Sequence, residues 1–265
     1  MAKRTPAKPR VNSLTMESGN RLGVGQDNLV NEALLPPYAH GLAETGEWVV
    51  KVSHKSPNAK DKRNWSLPSK EAAVTGTQYK QKKYELLKHF LGDFVPDSIF
   101  LVSDVETNGV RRPAEVTLQR RVPNHTIDSL SEEQKTDPRL QQNLMSLFGK
   151  LRYMYSVIGE ANGRASQGAS IDGKLDLGGV SDFARSRSID QDFTEQDVVR
   201  AAHKISSPNL LVDPETMSLY CIDYDQGDWN SGMESTQNLA FEIDANRHAT
   251  GLGLGAAALS GVASA

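Results

Sequence analysis

Apolar residues recur with one spacing in the first part of this chain and with another in the second, and that change of period decides its fold class. In EWVVKVSH, residues 47–54, Trp48, Val50 and Val52 fall on one face while Val49, Lys51 and Ser53 share the other, the alternation of a β-strand. SIFLVSDV (98–105) and AEVTLQRRV (114–122) read as two further strands about the turn ETNGVRRP, whose Asn108-Gly109 pair is a strong hairpin signal. Between them, Tyr84, Leu87, Phe90 and Leu91 form the stripe of an amphipathic helix, with Gly92 and Pro96 as its stop. Beyond these strands the period changes. Leu140, Leu144, Leu147, Phe148, Leu151, Tyr155 and Ile158 lie at helical spacing and predict one long buried helix. TEQDVVRAAHKI predicts another, opened by Thr194 with Asp197 at the capping-box position. NLLVDPETMSLYCIDYD then reads as two short strands about Asp213-Pro214-Glu215-Thr216. The expected fold is α+β: an antiparallel sheet with one inserted helix, then a mainly helical part carrying one hairpin.

At 265 residues, with 38% hydrophobic and 24% charged residues, the chain fits one large domain or two small lobes. The expected division is a basic disordered tail over 1–18, a β-rich lobe over 19–122, a helical lobe over 123–248 and a flexible Gly/Ala tail over 249–265. A net charge of -3 gives no global signature of a nucleic-acid partner, although basic patches remain open. Cys221 is the single cysteine, which excludes an intramolecular disulfide and suits a reducing compartment. No apolar run approaches the roughly 20 residues that span a bilayer, and MAKRTPAKPR is not followed by an apolar signal core. The expectation is a cytoplasmic protein with no membrane partner. The histidines are scattered without metal-ligand spacing and read as surface or hydrogen-bonded polar residues. Lys80, Lys82, Lys83 and Lys88 read as the solvated face of their helix, or as a basic docking patch.

Several local patterns carry chemistry. Gly23, Gly25, Asn28 and Val30 match a G-x-G-x-x-G-x-V loop with Asn28 in place of the third glycine. Such a loop lets backbone amides approach phosphate oxygens without Cβ interference. Lys51 sits mid-strand, and Asn209 and Asp223 bracket the predicted hairpin. In this order the features resemble the protein-kinase-like superfamily, which includes protein kinases and small-molecule phosphotransferases. Asn209-Leu210-Leu211-Val212-Asp213 is similar to its N-I-L-V-D element, and Ile222-Asp223-Tyr224 to its metal-binding I-D-F or D-F-G element.

The resemblance implies a two-lobed kinase-like fold and ATP with Mg2+ as cofactors. Gly23 and Gly25 would cover the phosphates, and Lys51 would bind them while pairing with a helix carboxylate, Glu85 or in reserve Glu71. Adenine would lie at a hinge around Gln119 to Val122, and Asn209 and Asp223 would hold the metal, with Asp225 as an additional ligand or a surface carboxylate. The departure lies at the base. Five residues before Asn209, where a working kinase places an Asp, stands Lys204, which cannot accept a proton while charged. Asp176 is the candidate for a displaced base; Asp182 reads as a helix N-cap. Two functions follow from the resemblance: phosphotransfer to a small-molecule or protein acceptor, or an inactive pseudokinase that regulates or scaffolds. A third reading, an α+β interaction module, needs no nucleotide.

Overall fold

The structure, a computed structural model, describes residues 17–24, 28–34, 47–53, 69–107, 110–165, 170, 171, 175, 177, 180–185, 193–223 and 231–251. The two expected tails lie outside these residues except at their inner ends, where strand β1 begins at Glu17 and helix α6 runs to Ala249. The fold is α+β, and its two sheets are antiparallel. The chain divides into two compact units, Met1–Gln81 with Asp97–Arg121, and Lys82–Pro96 with Val122–Ala265.

The first unit is built on a five-stranded sheet in the order β1-β2-β3-β5-β4, from β1 (Glu17–Val24), β2 (Asn28–Leu34), β3 (Trp48–Ser53), β4 (Ser98–Thr107) and β5 (Val110–Arg120). Alternation along β3 divides its residues as expected. Trp48 and Val50 join Val116 and Leu118 of β5 in an apolar cluster against which Val52, Ile99 and Leu101 also pack. The β4–β5 hairpin is longer than the period-2 pattern suggested, since pairing continues from Ser98↔Gln119 to Thr107↔Val110. Pro113, opposite Asp104, is tolerated because pairing between β3 and β5 reaches only Val116, so the missing N–H falls where β5 has one neighbour.

Helix α1 (Lys70–Leu91) follows β3, and its residues are shared between the units. Ser69 starts it, its Oγ accepting from Ala72 N at 3.2 Å. Gly92 ends it at φ +60, a left-handed C-terminal geometry that favours glycine, and Lys150 Nζ donates to the Leu91 carbonyl at 3.2 Å.

In the second unit, α3 (Pro138–Arg164) is the central pillar and packs on α4 (Val180–Arg185), α5 (Glu195–Ala202) and α6 (Ser231–Ala249); a short helix α2 (Glu132–Lys135) precedes it. Asp137 caps α3 by accepting from Arg139 N at 2.8 Å, with Pro138 beginning the helix. Of its predicted stripe, Leu140, Leu144, Leu147, Phe148, Leu151 and Ile158 are buried, while Tyr155 is only half-buried. Asp182, expected at the start of a helix, lies inside α4, because the turn begins earlier, with Val180 N donating to Leu177 O at 3.2 Å. The predicted capping box of α5 forms: Thr194 Oγ1 accepts from Asp197 N at 3.2 Å and Asp197 Oδ2 accepts from Thr194 N at 3.0 Å. A second sheet, β6-β7-β8, joins His125–Thr126 to Leu210–Val212 and Leu219–Cys221. No described helix is long and apolar enough to cross a membrane.

Candidate functional site

The β7–β8 hairpin brings the two most specific residues of the sequence pattern to one end of a rigid element. Leu210 pairs with Cys221, Leu211 with Tyr220 and Val212 with Leu219, so the chain turns at residues 213–218 and both outer ends emerge together. One step beyond the ladder, Ile222 N donates to Asn209 O at 2.9 Å, which fixes Asn209 opposite Ile222 and beside Asp223 along the chain. Asp223 has φ 56, in the left-handed region. Asp tolerates that region better than most residues, at a cost that must be met by its surroundings. Asn209 is buried, and its N–H donates to the buried Ser207 Oγ at 3.1 Å.

The turn of this hairpin is independently pinned. Asp213 Oδ1 accepts from Glu215 N at 2.9 Å and Oδ2 from Thr216 Oγ1 at 2.8 Å. These bonds favour the charged form, led by the Glu215 amide, and hold the Asp213 carboxyl below its usual range. Helix α3 grips the same turn, with Asn143 Nδ2 donating to Met217 O at 2.7 Å and Arg139 to Glu215 O at 3.0 Å. Cys221 is fully buried in β8, and desolvation pushes its thiol up to about 12, the inert structural thiol its strand position predicts.

Lys51 lies on the third strand of the first unit's sheet, opposite Val30 on β2 and Thr117 on β5. It is only 8% exposed, and no carboxylate among the described residues of that unit lies within ion-pair distance of it. Glu71 is exposed in the first turn of α1. Glu85 belongs to the second unit, where its carboxylate lies 3.8 Å from Lys82. The helix-to-sheet ion pair of the first unit runs in the opposite sense from the expectation: helix Lys80 reaches strand Glu115 at 3.2 Å and also bonds Ser53 Oγ. Gly76 permits this approach, since a Cβ there would stand 2.2 Å from Glu115 Oε1. The lysines of α1 are therefore not a solvated face: Lys80 and Lys83 are largely buried, Lys82 meets Glu234 at 3.3 Å, and Lys88 donates to Val95 O at 2.9 Å.

Other sequence candidates are placed as follows. Gly23 lies in β1 opposite Val30, near the hairpin that closes at Val24↔Leu29; Gly25 lies outside the described residues. Gln119 is buried in β5 and donates to Ser98 Oγ at 3.3 Å. The chain passes from the first unit to the second between Arg121 and Val122, at the segment expected to be a hinge. Lys204, at the position of the usual base, is exposed in the turn after α5, and its N–H donates to Ala201 O at 2.8 Å. Asp176 and Asp225 lie outside the described residues. Among the described residues no group of three or more His, Cys, Asp or Glu could hold a metal ion.

Against known proteins, the chain matches no family model, and no curated protein is significantly similar to it in sequence. The chemistry of the site therefore rests on the residues themselves.

One polar cluster was not visible in the sequence. Asp244 of α6, buried, accepts from Tyr153 OH of α3 at 2.6 Å and meets His89 Nε2 of α1 at 2.8 Å. Burial, and then Asp244, push the Tyr153 phenol well above its ordinary range. These residues are 91 and 155 positions from Asp244 and no local period links them. His89 is thus a hydrogen-bonded polar residue, as its isolated position in the sequence suggested.

Proposed function

We propose that the chain is a divergent kinase-like protein of two lobes that binds ATP with magnesium. The observation that carries this reading is the convergence of Asn209 and Asp223 at one end of the β7–β8 hairpin, with Asp223 held at φ 56. An amide and a carboxylate so placed supply two oxygen ligands. Magnesium keeps several waters and takes the rest of its shell from substrate phosphates, so two protein oxygens suffice and no all-protein cage is needed. When bound, the ion would neutralise charge on the phosphates.

Lys51 supports the same reading from the first unit. A buried ammonium is costly without an anion, and no carboxylate among the described residues of that unit meets it. A lysine on the third strand followed by a helix is also the order in which kinase-like proteins place their phosphate-binding lysine. Gly23 and Gly25 would cover the phosphates, and the segment Gln119 to Val122 would receive the adenine. Between the two activities, the exposed Lys204 at the base position favours a nucleotide-binding regulatory module over phosphotransfer, with Asp176 the base if transfer occurs.

Thermal unfolding with and without ATP and magnesium tests the reading, on wild type, Asp223→Ala and Lys51→Met. Nucleotide at about 100 times its dissociation constant adds roughly 2.7 kcal/mol. The expected result is a magnesium-dependent shift that Asp223→Ala abolishes and Lys51→Met weakens. No shift of the wild type at millimolar nucleotide sinks the proposal. Phosphate release from the same samples then separates turnover from binding alone.

A further inference from the structure

A cleft of ≈ 310 Å³ opens among α3, α4 and α5 of the second unit. It is lined by the buried Phe148 and Val180 and by Phe183, Arg200, Ala201 and Lys204, which reach the surface. The walls are well supported: Phe148, Phe183 and Phe193 pack ring against ring with centroids 5.0, 5.4 and 5.3 Å apart. Positions 200 and 201 belong to the last turn of α5, and position 204 to the turn that follows it.

The charges of this cleft do not balance. Asp197 also lines it, but its Oδ2 already accepts from Thr194 N at 3.0 Å and Thr194 Oγ1 at 2.7 Å, holding the start of α5. Arg200 and Lys204 are exposed, and among the described residues neither has an acid partner. Two cations lining one cleft with no such partner repel one another. An anion seated between them relieves that repulsion and meets two charge-assisted donors. The volume falls in the range of small-molecule sites, which pair an apolar lining with a few placed polar groups.

We infer that this cleft binds a small organic anion: an apolar or aromatic body lying against Phe183 and Ala201, with its carboxylate, phosphate or sulfonate between Arg200 and Lys204. The cleft shares Lys204 with the base position of the proposed nucleotide site, but the inference does not depend on nucleotide binding.

The test is a fluorescence titration of the full chain, without nucleotide, using two probes of similar apolar body: 8-anilinonaphthalene-1-sulfonate, an anion, and N-phenyl-1-naphthylamine, which is neutral. The wild type is expected to bind the sulfonate saturably and one to one, and more tightly than the neutral probe. Arg200→Gln with Lys204→Gln removes two charge-assisted contacts and should weaken the sulfonate by about tenfold or more while leaving the neutral probe unchanged. Ala201→Phe fills the cleft and should abolish binding of both. An unchanged sulfonate affinity in the double variant overturns the inference and leaves these cations as complements to the C-terminal end of α5. Equal affinity of the wild type for both probes overturns it as well. The double variant alters only exposed side chains, so the outcome stands even where Ala201→Phe lowers stability.

Discussion

Asp244→Ala removes the acceptor at the centre of the buried cluster that ties α1, α3 and α6, and the size of its effect follows from who loses a partner. Tyr153 is 4% exposed, so its hydroxyl, 2.6 Å from Asp244, cannot turn to water. Leaving such a donor unpaired costs about 1–3 kcal/mol, and the lost bond was to a charged acceptor, at the upper end of that range. The side chain of His89 is 41% exposed and can be solvated when Asp244 is gone, so it adds little. Removing a buried carboxylate also relieves its own desolvation, which offsets part of the loss. The expected net destabilisation is about 2–3 kcal/mol, or roughly 5–10 °C in Tm. Tyr153→Phe, which leaves Asp244 bonded to His89, should cost less, about 1–2 kcal/mol. The double variant should be little worse than Asp244→Ala alone, because both changes break the same Tyr153–Asp244 bond. Unfolding in urea, followed by circular dichroism, measures all three. Asp244→Ala within about 0.5 kcal/mol of wild type, or full additivity with Tyr153→Phe, would refute the reasoning.

Two further perturbations probe the elements around the candidate site. The Asp213 carboxyl is held below its usual range by the amides and hydroxyl of its turn, so its charged form contributes stability above about pH 4 that is lost as pH falls through the lowered value. The advantage of wild type over Asp213→Asn in unfolding experiments should therefore shrink from about pH 4 downward, and a gap that is the same at pH 6 and pH 3 would contradict this. Gly76→Ala drives a Cβ to 2.2 Å from Glu115 Oε1 and so displaces the carboxylate that Lys80 holds at 3.2 Å. It should destabilise the wild type, yet in a Glu115→Ala background it should stabilise by up to about 1 kcal/mol through helix propensity. Thermal unfolding of the four chains decides; the same effect of Gly76→Ala in both backgrounds would show that the carboxylate is not what glycine accommodates.

Sequence alone determined the features whose physics is local. Alternation fixed β3 and sorted Trp48 and Val50 from Lys51, helical spacing fixed the core face of α3, and Thr194 with Asp197 fixed the start of α5. The hairpin at the candidate site was equally legible, because Asp213 bonds to residues two to five positions on and the turn then sets the register that aligns Asn209 with Ile222. Tertiary structure decided what depends on chance meetings of distant segments. Nothing in the spacing of the α1 lysines says that Lys80 will meet Glu115 and leave Lys51 without a carboxylate from its own unit. Nor does it say that Asp244 will sit against Tyr153 and His89, or that Arg200 and Lys204 will edge an apolar cleft. A side chain's period records only which face it lies on, and a charge's partner is set by whichever residue packing brings within a few ångströms.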